Sequence, residues 1–274
     1  MSRWLDEPLG DGLTRRWRLD EVLWEGRTDY QHVVVARTAH GVTLFCDGER
    51  QSAELSQLVY HEALLVPALL LATAVDRVLV IGSSEGVVSE LAVAAGASVV
   101  DHVDIDRECV RRCAELLPYG YTPASLAAAE RGDGPVRVHY ADGWAFVHDT
   151  PDRYDVVVVD LPDERGDGAQ HDRLYSADFL ARCRDLLTPG GVVAAQAGCP
   201  TLWRNATLAT ALDRFHAVFG AVTYYGSDEH EWAFLFGSER ARPLSDGVTA
   251  YRPVSIDADA LRAGTTPPRA LRCR

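Results

Sequence analysis

The sequence predicts an α/β protein in two parts, a small antiparallel sheet followed by a parallel sheet covered on both faces by helices. Three observations predict it. The apolar period changes from two to 3.6 near residue 54. Beyond that point short apolar runs alternate with helical patterns, as in parallel strands joined by crossover helices. The chain has 274 residues, 47% of them hydrophobic, enough core for one large unit and a small one.

Residues 17–24, 30–37 and 42–46 read as short strands, with turns at Gly26, His40-Gly41 and Asp47-Gly48. From Glu54 to Ala72 the residues Leu55, Leu58, Val59, Ala63, Leu65, Val66 and Leu69 follow helical spacing, with Ser52 as the expected cap. Strands then fall at 77–81, 98–104, 136–140, 154–159 and 191–196. Helices begin at Glu85, Arg107 and Gly143 and span 177–187 and 202–219. The last two strands, 221–225 and 231–237, have no helix between them and should pair antiparallel. After Gly237 the composition shifts to seven arginines, three aspartates and four prolines. That reads as a loosely ordered tail with one short helix near 257–262 and ten disordered residues at its end. The expected units are 1–53, an N-terminal β-hairpin domain; 54–239, a larger Rossmann-like α/β domain; and 240–274, an Arg/Pro-rich tail. No internal repeat is present.

The formal net charge is −13, from 40 acidic and 27 basic residues. This disfavours nucleic acid or an anionic membrane as partner and favours a cationic ligand. All the basic residues are arginine, which excludes a Schiff-base lysine and a P-loop NTPase. The longest apolar stretch, 63–75, is too short to cross a bilayer and contains Pro67. The N-terminus has no signal-peptide pattern, so a cytoplasmic location is expected. Six cysteines without a C-x-x-C pair and nine histidines without H-E-x-x-H point to neither structural zinc nor a disulfide frame. Cys109 and Cys113 share a helix face and read as small buried apolar groups.

The stretch Val78 to Gly86 is an apolar strand entering a small-residue loop, Gly82-Ser83-Ser84-Glu85-Gly86, and then a helix, where a ligand can approach the backbone closely. Its spacing is not that of the dinucleotide fingerprint. The next strand ends in Asp104-Ile105-Asp106, about 20 residues on, where an acid commonly holds ribose hydroxyls. Further strands end at Asp142-Gly143 and at Asp160-Leu161-Pro162-Asp163. Glu85, Asp104, Asp142, Asp160 and Asp163 should therefore converge on one crevice, although each could instead cap a helix. A nucleoside carrying positive charge, such as S-adenosylmethionine, suits that set.

These motifs resemble the polyamine aminopropyltransferase (spermidine synthase) family. The matching stretches are Tyr30-Gln31; Phe45 through Glu54, which contains Gln51; Tyr60-His61-Glu62; the Gly82 loop; and Asp104-Ile105-Asp106. They continue with Ala141-Asp142-Gly143, Asp160 through Asp163, Leu174-Tyr175-Ser176, and Gly190-Gly191 followed by Gln196. They run in order over about residues 20–238. The resemblance implies a class I S-adenosylmethionine methyltransferase-like (Rossmann-like) fold with a seven-stranded sheet and a small N-terminal antiparallel β domain, in a homodimer or homotetramer. It implies decarboxylated S-adenosylmethionine as co-substrate, no tightly bound cofactor and a small cationic amine as acceptor. Gln31 and Asp104 would hold the ribose, Asp142 the adenine amino group and Glu85 the tail amine, with Gln51 and His61 nearby. Asp160 would orient and deprotonate the attacking amine, and Tyr60, Asp163 and Gln196 would line its channel. The acids of residues 227–232, with Trp232, would form a rim for a distal ammonium.

The chain departs from the family pattern at three places. The loop usually written G-G-G-D-G is Gly82-Ser83-Ser84-Glu85-Gly86, an acidic pair is replaced by Ser56-Gln57, and Glu164 follows the D-x-x-D element where proline is usual. Two other readings therefore stand beside aminopropyl transfer at this point: transfer of a methyl or 3-amino-3-carboxypropyl group from intact S-adenosylmethionine, and a non-catalytic nucleoside-binding protein.

Overall fold

The computed structural model describes residues 3–10, 12–164, 169–227, 229–247 and 249–272. Cys273 and Asp228 lie outside them. The chain opens with a hairpin of β1 (Arg3–Gly10) and β2 (Leu13–Leu19). A four-stranded antiparallel sheet follows: β3 (Glu21–Arg27), β4 (His32–Thr38), β5 (Gly41–Cys46) and β6 (Glu49–Ala53). Residues 17–24 are thus not one strand. The chain breaks at Asp20, whose amide bonds Arg37 O. β1 is absent from the sequence reading because its charged, Pro8-containing stretch buries one residue, Glu7, which accepts from Trp17 Nε1 at 2.7 Å. β4 is buried on both faces, which explains its unbroken valine run. Val34 and Ala36 pack on Trp17 and Phe45, while Val33 and Val35 pack toward Cys109, Cys113 and Leu117 of the larger unit.

α1 (Gln57–Leu71) starts later than the sequence pattern suggests. Ser52 does not cap it: it lies in β6 and its hydroxyl accepts from Tyr119 at 3.0 Å. From His61 to Leu71 every residue of α1 is buried, so the helix is enclosed on all sides and is apolar from Ala63 onward.

The main sheet contains β7 (Arg77–Gly82), β8 (Val99–Asp104), β9 (Val136–Tyr140), β10 (Tyr154–Asp160), β11 (Leu187–Gln196), β12 (Ala221–Gly226) and β13 (Ala233–Ser238). Its order is β12-β13-β11-β10-β7-β8-β9, with β13 antiparallel to both neighbours. Alternate residues of β10 serve the two faces. Val157 and Val159 pack beneath α5 (Gly143–Asp149), α6 (Ala177–Asp185) and α7 (Ala206–Val218), whereas Val156 and Val158 pack toward α1 and α2 (Val87–Ala94). The chain runs outward from β7 through β8 to β9 and then crosses back to add β10 on the other side of β7, so the strands' C-terminal ends open a crevice there. α3 (Arg107–Leu116) follows β8.

The sequence pattern gives no sign of α4 (Pro123–Arg131), since its alanines make no apolar stripe. A Thr122–Ser125 capping box starts it and only Leu126 and Ala129 are buried. The tail also differs from expectation, because residues 249–272 dock on the body. Buried Glu62 accepts from Tyr251 Oη, the Val254 and Ser255 amides and the Ser255 hydroxyl at 2.5–2.7 Å. α8 (Ala258–Gly264) is capped by Asp257, and Leu271 of α9 (Arg269–Arg272) is buried in the main core. No helix among the described residues is long and apolar enough to cross a membrane.

Candidate active site

Five strand ends and the N-terminal sheet enclose a cavity of about 530 Å³. Most of the expected residues line it: Gln31, Gln51, Tyr60, Gly82, Ser83, Ser84, Glu85, Asp104, Ile105, Asp142, Gly143, Asp160, Asp163, Gln196 and Trp232. His61 and Gly86 stand behind the wall.

The Gly82 loop is shaped by a close approach of β10. A Cβ on Gly82, whose φ is +82°, would fall 2.0 Å from the Asp160 carbonyl oxygen, so only glycine fits. Ser83 carries a positive φ of 61°, which costs a non-glycine residue about 1–2 kcal/mol. Its amide donates to that same carbonyl at 2.9 Å. From below, buried His102 donates through Nε2 to Gly82 O at 2.8 Å and accepts from Tyr121 Oη at Nδ1, 2.9 Å. Burial lowers its pKa to about 4, which keeps this brace neutral.

On the β8 side, Asp104 accepts from Ser84 Oγ at 2.7 Å and from the Asp106 amide at 2.8 Å. Burial raises its pKa to about 7 despite both bonds. Gln31 bonds Asp106 at 2.9 Å rather than Asp104, which ties the N-terminal sheet to α3. Asp142 caps the Trp144 amide at 2.9 Å and pairs with Arg173, an arginine the sequence reading did not mark.

On the other side, Tyr60 Oη donates to Asp160 Oδ1 at 2.6 Å. Burial pushes the Asp160 pKa up; nearby His61 and the Tyr60 bond oppose the rise, and the Glu85 charge adds to it. Behind them His61 Nε2 lies 3.3 Å from Glu85 Oε1, without hydrogen-bond alignment. Burial works against an ionised pair, but each partner outweighs it in the other: His61 is raised and Glu85 lowered. Tyr175 Oη donates to the Leu161 and Pro162 carbonyls at 2.9 Å and so anchors the loop that carries Asp163. Asp163 itself is bonded by Gln196 and by Arg204, whose Nη2 is 2.9 Å away. The sequence pattern put Arg204 inside the helix expected over 202–219, but α7 starts at Ala206 and Arg204 lies in the turn before it.

Of the expected acidic rim, Asp228 lies outside the described residues and Glu231 faces arginines. Glu231 pairs with Arg15 and with Arg50 at 3.4 Å, so its charge is met within the protein. Arg50 also stacks 4.8 Å over the Trp232 ring, which makes the wall an arginine–indole sandwich. Among the described residues no group of three or more His, Cys, Asp or Glu is placed to hold a metal. Cys46, Cys109, Cys113, Cys183 and Cys199 are free and buried.

A central-strand switch point ringed by acids, with the small-residue loop on one side and a half-buried carboxylate–tyrosine pair on the other, is the ligand crevice of an α/β protein of the methyltransferase-like fold class. The spermine/spermidine synthase domain family matches residues 57–227. The chain is 32% identical over 260 residues to polyamine aminopropyltransferase 1 of Pseudomonas aeruginosa, covering 91% of this chain and 88% of that one. It is 30% identical over 249 residues to the polyamine aminopropyltransferase of Pseudomonas syringae pv. tomato, covering 87% and 84%. Two solved structures share the fold at 19% identity over the whole of this chain. One is a spermidine synthase in complex with the transition-state analogue AdoDATO (TM-score 0.86, 96% of that chain); the other is spermidine synthase from Thermotoga maritima (0.84, 95%). The chain belongs to the spermine/spermidine synthase family, whose members are aminopropyltransferases.

Proposed function

We propose that the protein transfers an aminopropyl group from decarboxylated S-adenosylmethionine to a small primary amine. The observation that carries this reading is the Asp160 carboxylate, held by Tyr60 at the mouth of β10 in a setting that raises its basicity. A primary amine with a pKa near 10.4 is protonated at neutral pH and must lose a proton before it attacks. Asp160 accepts that proton. The nitrogen lone pair forms a bond to the carbon beside the sulfonium, the C–S bond breaks, and neutral methylthioadenosine leaves. A positioned base contributes roughly 10²- to 10⁴-fold, and in-line alignment of the reactants supplies much of the remainder.

In this reading Asp104 receives the ribose hydroxyls, Asp142 the adenine amino group after it swings from Arg173, and Glu85 the donor's tail ammonium, with Gln31, Gln51, His61, Ser83, Ser84, Gly86, Ile105 and Gly143 shaping that pocket. Tyr60, Asp163, Gln196 and Trp232 shape the acceptor side. Residues 1–53 supply one wall, 54–239 the chemistry, and 240–274 brace α1. We also infer a cytoplasmic homodimer or homotetramer, which light scattering in solution checks for assembly.

The buried His61 beside Glu85 favours one alternative, because an imidazolium there offers a partner to the carboxylate of intact S-adenosylmethionine. Incubating the protein with each donor and a panel of amines decides between them. Methylthioadenosine release with the decarboxylated donor supports aminopropyl transfer. Release of S-adenosylhomocysteine, or of methylthioadenosine from intact S-adenosylmethionine alone, replaces it.

A further inference from the structure

The sheet order separates the cavity into two halves. Asp104 and Asp142 end β8 and β9 on one flank of β7, whereas Asp160, Asp163 and Gln196 belong to β10, its loop and β11 on the other. On this second flank Asp163 is already paired inside the protein, whereas Asp160 is bonded by the neutral Tyr60 hydroxyl. Asp163 uses one oxygen for Gln196 Nε2 and the other for Arg204 Nη2 at 2.9 Å, and its backbone carbonyl accepts from His171 at 3.1 Å. Glu231, between the cavity-lining His230 and Trp232 in sequence, pairs with Arg15 and Arg50. Burial pushes the Glu231 pKa up, but the hydrogen bond from Arg15 and the charges of Arg15, Arg50 and Arg204 together hold it below the ordinary value. Glu7 accepts from Trp17 and the Arg50 amide and lies 3.5 Å from Arg15. Burial keeps His230 neutral, with its pKa lowered to about 4.

A diamine bound with one nitrogen at Asp160 would bring its second ammonium to this wall. There it would meet guanidinium groups and carboxylates already engaged, and it would have to displace an arginine held at one-fifth exposure. We propose, on the basis of the transfer reading above, that Arg204 is a specificity-determining residue that takes the place of a second ammonium, so that the acceptor is a primary amine whose far end is not cationic. Arg204 meets the Asp163 charge, and Trp232, backed by Arg50, offers an indole face to alkyl carbons. A monoamine needs only Asp160 and that apolar face. A far carboxylate would be received by Arg204 after a small rotation away from Asp163.

The test is equilibrium binding, independent of turnover. Isothermal titration of n-pentylamine and of 1,5-diaminopentane is carried out on the protein saturated with methylthioadenosine. The wild type should bind the monoamine at least as tightly as the diamine. Arg204→Gln, which frees Asp163, should shift the diamine-to-monoamine affinity ratio at least tenfold toward the diamine. Asp163→Asn, which leaves Arg204 without its partner, should instead improve binding of 5-aminopentanoate relative to n-pentylamine; it serves as the second probe if Arg204→Gln is unstable. A wild type that prefers the diamine tenfold or more, an unchanged ratio in both variants, or no amine binding at all overturns the proposal. Failure of methylthioadenosine release with every amine would instead overturn the transfer reading while leaving these affinities measurable.

Discussion

Tyr60 and Asp160, one hundred residues apart in sequence, meet through a 2.6 Å hydrogen bond that joins α1 to the end of β10. The half-buried phenol packs against Phe234 and Trp232, and desolvation drives its own pKa well up, so it donates throughout the physiological range. A carboxylate fixed by a permanent donor on one oxygen is oriented for work with the other.

Asp160→Asn should lower kcat by roughly 10²- to 10⁴-fold, because an amide cannot take up the amine proton. Binding of methylthioadenosine, followed by calorimetry, should persist. Turnover near the wild-type rate would remove Asp160 from the mechanism.

Tyr60→Phe removes a bond that favours the ionised form of Asp160, so the acid's pKa should climb further. The acidic limb of the kcat profile is then expected at higher pH than in the wild type. Superimposable limbs would mean that Asp160 does not set the profile.

Asp104 gives a stability prediction with a definite sign. Its pKa is 3.8 in an ordinary setting and about 7 in the folded protein. Below the lower value the carboxyl is protonated in both states, and between the two the folded state holds a proton that the unfolded chain has lost. Its contribution to stability is therefore present in acid and lost as pH rises through about 7. Asp104→Asn, neutral throughout, should gain in melting temperature relative to the wild type more at pH 8 than at pH 5. The same variant should bind methylthioadenosine more weakly by about 1.5–3 kcal/mol; an equal melting offset at both pH values would contradict the assignment.

Glu85→Gln takes the negative partner from His61, whose raised pKa depends on it. The preference for decarboxylated over intact S-adenosylmethionine should narrow, as read from the two dissociation constants. A wild type that binds the intact donor more tightly would reverse the assignment of the tail pocket.

Glu62→Gln should destabilise the fold by about 2–4 kcal/mol in urea unfolding, since bonds to a charged acceptor contribute roughly 1.5–3 kcal/mol each. Burial raises the Glu62 pKa, but bonds from Ser255, Tyr251 and Val254 bring it below the ordinary value. Its stabilisation is thus present above the usual glutamate range and fades as pH falls through the lower folded value. A variant as stable as the wild type would show that the tail is not held through this carboxylate.

The parallel strands were legible because a strand covered on both faces must be apolar at every position, and Val156 to Val159 leave no other assignment. The cavity-lining acids were legible for a related reason, since each sits where an apolar run stops. What the residues could not disclose was pairing across the fold. Asp163 reads as a free acid until Arg204 is placed beside it, Asp142 until Arg173 is, and Glu231 until Arg15 and Arg50 are. Nothing in the period of those arginine-bearing segments marks the partner. The tail was misread for the converse reason: its prolines and arginines suggest disorder, and the buried glutamate that captures its backbone lies nearly two hundred residues earlier.

Successive side chains of a helix point about 100° apart, and one turn of α1 uses this to address three destinations. Tyr60 reaches Asp160, His61 reaches Glu85, and Glu62 reaches the tail. The reacting carboxylate, the donor's expected ammonium site and the far end of the chain are therefore set by the rotation of a single rigid rod. Removing residues 249–272 would leave the Glu62 charge stranded in an apolar bed, and a twist of α1 that relieved it would carry Tyr60 and His61 out of register together. Damage at the end of the polypeptide would then be recorded as lost catalysis before any of the sheet had unravelled.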